Sequence, residues 1–509
     1  MPPDACSLEL ARTPGRTASI CSSIREITRL PASELVRLVR RKQLSPVEIM
    51  GAYLRRAKQL NPVINAFASL EADRAMAAAR RAEKHLMSQQ TFQPLLGVPM
   101  TIKSCIDVQG FRCEAGSRLR SGYLAVQDAP VVARLKAAGA IIIGNTSTPE
   151  ALVSYHTENL LQGRTNNPYD LSRSAGGSSG GEAAAIACGL SAGGVGSDGG
   201  GSIRVPASFC GICGLKPTPG RVPATGHYPP CGGPFSLIGV VGPMARTIQD
   251  LRLLLEVTSG YDAGDPVSSP VPSSLGSKYD RAKLRIGFYE DDGYSPAEPA
   301  VRDAVRLATA ALAEDGFVVE PFRPSGLERA RQLWFTLFVE GIAMVLAPTV
   351  QGREHEISDG TKEFLAFAAE QPPLTGERLL ATLLERDHLR AQFLAEMEQF
   401  PILLAPVSAM PAFPHEDAGW GPTHKADFAR TMSYSQHYNL LGTPAATVPV
   451  TQTSSGLPIG VQVIGRPYKE DEVLAVAGVV DQKFGWREGP FAGQNDKTDP
   501  AREKSSEVP

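Results

Sequence analysis

SAGGSSGGEAAAIACGLSAGGVGSDGGGSIRVP, residues Ser174 to Pro206, holds eleven glycines in 33 residues. Each glycine costs a helix interior about 1 kcal/mol relative to alanine. So dense a run needs a reason, and glycine serves where backbone must turn with positive φ or approach another group closely. Two serine sites sit in glycine settings: Ser178-Ser179 between Gly177 and Gly180, and Ser202 after Gly199-Gly200-Gly201. Between them, Glu182 to Gly189 is alanine-rich and reads as a short buried helix. The pattern is a loop of backbone N–H donors, a tightly packed helix, then a second such loop. Consecutive N–H donors suit a developing oxyanion.

A glycine-rich loop before a helix also suits phosphate. The stretch contains no GxxxxGK[ST], and its GxGxxG spacing at Gly194 to Gly199 does not stand between a strand and a helix in this reading. Ser202 has Gly200 two residues before it but Arg204 two residues after it, so the GxSxG elbow of Ser-His-Asp hydrolases is missing. On the residues alone, a serine nucleophile with a backbone oxyanion hole and a purely structural packing loop are evenly matched.

Outward from this stretch the chain reads as α/β. LPASELVRLVRRKQLSPVEIM and Ala72 to Leu86 have helical character, with Ser45 as N-cap, Pro46 in the first turn and Glu48 completing the start signal. Arg40, Arg41 and Lys42 read as a solvated face. Leu95 to Lys103 is a short apolar strand ending in a lysine. Such a lysine is either a snorkelling surface residue or a buried amine that is costly to charge. Asp128 to Ile143 gives a helix, a turn at Gly139 and a buried strand, the alternation of parallel α/β architecture. Gly220 to Pro243 is a Pro/Gly-rich loop and then a strand. Ala245 to Val257 is a helix, and residues 259 to 282 are an exposed excursion. Strands at Leu284 to Tyr289, Val318 to Phe322 and Pro401 to Pro406, with a helix at Pro299 to Glu314, continue the theme. Leu333 to Leu346 (LWFTLFVEGIAMVL) is strongly apolar but reads as too short and too interrupted, by Glu340 and Gly341, for a membrane span. It is a buried helix or the lining of a hydrophobic pocket.

Composition excludes several classes. Net charge is −2 (51 basic, 53 acidic residues), which favours neither nucleic acid nor an anionic membrane. The eight cysteines are sparse and read as reduced thiols in the cytoplasm. Residues 1–23 read as a flexible tail rather than a signal peptide, and residues 485–509 as a disordered one. No histidine spacing suits a metal, and His156 is given no role. The Cys210–Cys213 pair is read as packing.

The stretch resembles the signature of the amidase signature family, GGSSGG…GSDxGGSIRxPA. The likeness extends to GVPMTIK (Gly97 to Lys103) and FCGICGLKPT (Phe209 to Thr218), and more weakly over roughly Ile24 to Ala477. The run GRTNNPYDLSRSAGGSSGGEAAA and the FCGICGLKPT segment resemble those of fatty-acid amide hydrolases and their bacterial relatives. The resemblance implies an α/β/α layered fold with a central mixed β-sheet flanked by helices, one domain over 24–484 with a variable excursion at 259–400. It implies Ser202 as nucleophile, Ser178 as a bridging serine on a cis peptide bond, and Lys103 as base, with Ser179 the rival for the bridge. Backbone N–H groups of Gly199, Gly200, Gly201 and Ser202 form the oxyanion hole, and Asp198 and Arg204 a supporting polar shell. Relatives often carry a larger residue where Gly199 stands, so this loop is expected to be looser. They often carry an acidic residue where Ser104 stands, so the pH profile is expected to differ. The implied reaction is hydrolysis of a linear, hydrophobic acyl or aryl amide, with esters and carbamates chemically open to the same site. No cofactor or metal is required, the partner is a small-molecule amide, and a homodimer is left open. The alternatives are an amidotransferase component, against which Pro149 stands where those proteins carry an acidic residue, and a non-catalytic binding protein on this fold.

Overall fold

The computed structural model describes residues 24–88, 93–271, 284–485 and 490. The tails expected at 1–23 and 485–509 lie outside these residues apart from Gly485 and Pro490, as does the latter part of the 259–282 excursion.

One mixed sheet of eleven strands organises the molecule. Its strands are β1 (Phe67–Leu70), β2 (Pro99–Lys103), β3 (Ile141–Thr146), β4 (Gly193–Asp198), β5 (Cys213–Lys216), β6 (Val240–Ala245), β7 (Ile286–Phe288), β8 (Val319–Pro321), β9 (Ile402–Pro406), β10 (Ala445–Gln452) and β11 (Pro458–Gly465). Their order is β1-β3-β2-β4-β6-β5-β10-β11-β9-β7-β8. Parallel pairing is confined to β3-β2-β4 and to β9-β7-β8, and the rest is antiparallel. The helices used below are α1 (Pro46–Ile64), α2 (Ala72–Ser88), α3 (Gly180–Ala187), α4 (Arg204–Phe209), α5 (Gly376–Glu396) and α6 (Ser433–Leu440), together with one long helix introduced next.

Local chemistry explains much of this. Helix α1 starts with a full capping box, the Ser45 side chain accepting from the Glu48 N–H and the Glu48 carboxylate from the Ser45 N–H. Strands β2, β3 and β9 are buried along their whole length, as apolar strands covered on both faces must be.

Two expectations change. The glycine run 193–198 forms strand β4 rather than loop, paired in parallel with β2 through Thr101–Gly194. Glycine weakens a strand unless another group needs the space. Here α3 packs so close that a Cβ at Gly194 would lie 2.0 Å from Glu182 Oε1. The second change concerns the apolar segment. Leu327–Phe335, a π-helical turn at Thr336–Glu340 and Gly341–Val350 run together as one 24-residue helix, Leu327–Val350. Among the described residues it is the one helix long and apolar enough, by length and composition, to cross a membrane, so the expectation of a short, interrupted segment is corrected. It is built into the fold: Leu333, Trp334, Leu337 and Val339 are buried, and the half-buried Arg378 of α5 pairs with the buried Glu340 at 2.5 Å.

Candidate active site

Lys103 ends β2, at the carboxyl edge of the parallel strands where α/β sheets place ligands. It is fully buried, and its Nζ lies 2.7 Å from Ser178 Oγ and 3.1 Å from Ser197 Oγ. Ser178 follows a cis peptide bond from Gly177, and its carbonyl accepts from Thr148 Oγ1 at 2.7 Å. Ser179 turns the other way, its Oγ donating to Ser197 O at 3.3 Å. The geometry therefore joins Ser178 rather than Ser179 to the lysine. Ser202 stands in the turn between β4 and α4, and with Ser178 it lines one cavity. Among the described residues no hydrogen bond joins the Ser178 and Ser202 hydroxyls. Catalytic contacts are commonly looser before substrate binds.

Burial disfavours the Lys103 ammonium and lowers its pKa to about 8, with Cys105, Asp198, Cys231 and Glu182 working against the shift. Burial likewise raises Glu182 to about 8, although the Thr146 hydroxyl donates to it at 2.7 Å and the Thr101 hydroxyl also does so. Burial also works against ionisation of Asp198. The Arg204 guanidinium, Lys216 and the Gly201 N–H nevertheless hold that carboxyl well below the usual carboxylate range. Arg204 Nε and Nη2 donate to Asp198 at 3.0 and 3.1 Å. The same guanidinium donates to Gln462 Oε1 and to Ser435 O, and Asn439 Nδ2 donates to the Asp198 carboxylate.

This polar cluster corrects the expected oxyanion set. The Gly201 N–H donates to Asp198 Oδ1 at 2.6 Å and is not free for substrate. Gly199, Gly200 and Ser202 retain N–H groups with no internal acceptor among the described residues. The loop is held from its carbonyl side. Trp334 Nε1 donates to Gly199 O at 2.7 Å, and the Tyr155 hydroxyl donates to Gly200 O at 2.6 Å. Nor is the loop loosened by the glycine at 199. Phe338 fills the space, a Cβ there lying 2.8 Å from its ring, and Phe338 stacks on Trp334 at 4.8 Å.

The cavity above Ser202 measures about 310 Å³. Its wall includes Leu152, Phe235, Ile238, Phe338, Ile342 and Val345, three of them from the long helix. The apolar segment is thus both partly buried and a pocket lining. A larger, polar cavity of about 890 Å³ beside Arg331 and Arg378 does not reach Ser202. Sequence reasoning misses Ser197, Tyr155, Trp334, Gln462 and Asn439. Ser197 adjoins Asp198 inside the motif and could have been weighed, but the others lie far off in sequence with no motif to mark them.

Trp334→Phe is expected to keep the stacked ring while removing the donor to Gly199 O. Steady-state kinetics should show kcat down roughly tenfold as the loop loses its alignment, with KM little changed. A loss carried by KM alone would assign Trp334 to the pocket instead.

Comparison with known proteins returns amide-hydrolysing enzymes. The Amidase family model matches residues 48–474. The chain is 32% identical over 494 residues to fatty-acid amide hydrolase 2-A of Danio rerio, covering 90% of each. It is also 32% identical over 493 residues to a glutamyl-tRNA(Gln) amidotransferase subunit of a Roseiflexus species (strain RS-1), covering 90% of this chain and 97% of that one. A crystal structure of a bacterial aryl acylamidase of the amidase signature enzymes superposes with a TM-score of 0.81 at 26% identity, covering 92% and 99%. The chain belongs to the amidase signature family and is an amide C–N hydrolase.

Proposed function

We propose that the chain hydrolyses linear amides with a hydrophobic acyl or aryl group, by transfer of the acyl group to Ser202 and then to water. The observation that carries this reading is the apolar cavity of about 310 Å³ that ends at Ser202. An amide is a poor electrophile with a poor leaving group, so catalysis needs a nucleophile, an oxyanion site and an acid for the nitrogen. In this reading neutral Lys103 takes the Ser178 proton while Ser178 takes that of Ser202. Ser202 Oγ attacks the carbonyl carbon, and the oxyanion is met by the N–H groups of Gly199, Gly200 and Ser202. Ser178 then gives its proton to the departing nitrogen and takes one back from Lys103. Water then repeats the sequence on the acyl-enzyme. Asp198 and Arg204 fix the loop.

The test is the intact mass of wild type and Ser202→Ala after exposure to a fluorophosphonate, followed by a screen of acyl and aryl amides with glutamine included. One adduct in wild type, none in the variant, and turnover of hydrophobic amides by the chain alone is the expected result. Glutamine turnover that needs a co-purifying protein would replace it with the amidotransferase reading, which the similarity to the Roseiflexus protein motivates.

A further inference from the structure

A second set of titratable groups reaches this site through Ser197. His227 Nδ1 lies 2.7 Å from Pro229 O. A carbonyl only accepts, so Nδ1 carries the proton and a neutral ring presents its lone pair at Nε2. Nε2 faces Cys105 Sγ at 3.4 Å. Cys105 Sγ lies 3.6 Å from Ser197 Oγ, the hydroxyl that is 3.1 Å from Lys103 Nζ. Cys105 is fully buried, whereas His227 and Cys231 line the cavity, with Cys231 Sγ 3.6 Å from His227 Nδ1. A continuous path Lys103–Ser197–Cys105–His227 therefore links the lysine to the pocket wall.

We infer that Cys105 and His227 are an acid–base pair which, through Ser197, sets the pH at which Lys103 becomes a competent base. The inference rests on the reading of Lys103 as base. The step is one proton passing from Cys105 Sγ to His227 Nε2, leaving thiolate and imidazolium. The thiolate is the member nearer Lys103, so it favours the ammonium and holds back the neutral amine. The electrostatics agree. Burial raises the Cys105 thiol, yet His227 and Lys103 bring it down to about 7, while burial lowers His227 and the two cysteines carry it well above its ordinary value. Lys103 also feels the charges of Asp198, which Arg204 pairs with, of Cys231 and of Glu182. Of the groups joined to the lysine through Ser197, Cys105 is the one placed to change charge near neutral pH. Cys105 and His227 are positioning residues, since neither touches the reacting atoms.

The experiment is the pH dependence of kcat/KM in wild type, Cys105→Ser, His227→Gln and the double variant, with thiolate ultraviolet absorbance followed over the same range. Cys105→Ser removes the thiolate and His227→Gln removes the proton acceptor. Each is expected to move the rising limb to lower pH by about one unit, and the double variant no further. The wild-type minus Cys105→Ser absorbance should show a thiolate appearing near neutrality that His227→Gln abolishes. Two folded single variants with an unmoved limb, or no such thiolate, would overturn the inference; a packing role alone lowers the rate without moving the limb. The absorbance reads the pair without turnover. If Lys103→Met keeps the rising limb, the assignment of the base fails instead, whatever the absorbance shows.

Discussion

Ser202→Ala is expected to lower kcat/KM by on the order of 10⁴-fold or more while the protein folds and binds amide as before. Removing a nucleophile from a working set abolishes the covalent path, and what remains comes from the oxyanion donors and binding alone. Ser202 sits in a turn whose alignment depends on the Asp198 carboxylate and on Trp334 and Tyr155, none of which contacts its hydroxyl in the structure. The variant should therefore unfold at the wild-type urea concentration. Activity within tenfold of wild type would remove Ser202 as the nucleophile.

Lys103→Met should cost a comparable factor, and it carries a pH signature. Lys103 is lowered to about 8 by burial, so the neutral amine, and with it kcat/KM, should rise with pH up to about that value and then level. The variant should lose this rise as well as the rate. Stability supplies a second check. A lysine whose folded pKa lies below its ordinary value of 10.5 is proton-poor in the folded state relative to the unfolded one between those limits. Its cost to folding is full below about 8 and fades as pH rises toward 10.5. Wild type should gain stability across that window relative to Lys103→Met, in which no such group exists. Parallel stability curves for the two proteins would contradict a buried, neutralised lysine.

What the chain discloses about itself depends on how local the physics is. The Ser45–Glu48 cap and the helix Pro299–Glu314 are legible because capping and period act within a few residues. The glycine motif points to Ser178 and Ser202, and through family likeness to Lys103, because close approach demands residues without side chains. Strand β4 reads as loop because the groups that need its glycines, Glu182 and Thr101, lie elsewhere in the chain. The Gly201 N–H looks free for substrate because its capture by Asp198 is a matter of three-dimensional reach. Trp334 and Tyr155 hold the loop by bonds to main-chain carbonyls, which leave no trace in residue type. The apolar segment looks interrupted because Glu340 finds its partner in Arg378 only after folding.

The Arg204 guanidinium is seated by Ser435 O, Asn439 and Gln462, residues more than two hundred positions further along the chain. The serines and the lysine emerge early from the ribosome, but the groups that lock Asp198 and its turn emerge late. A nascent chain, or one cut short before α6 and β11, carries every reacting side chain and still lacks the frame that aligns them. Truncation before Gln462 is therefore expected to leave Asp198 and its turn without part of the frame that seats Arg204.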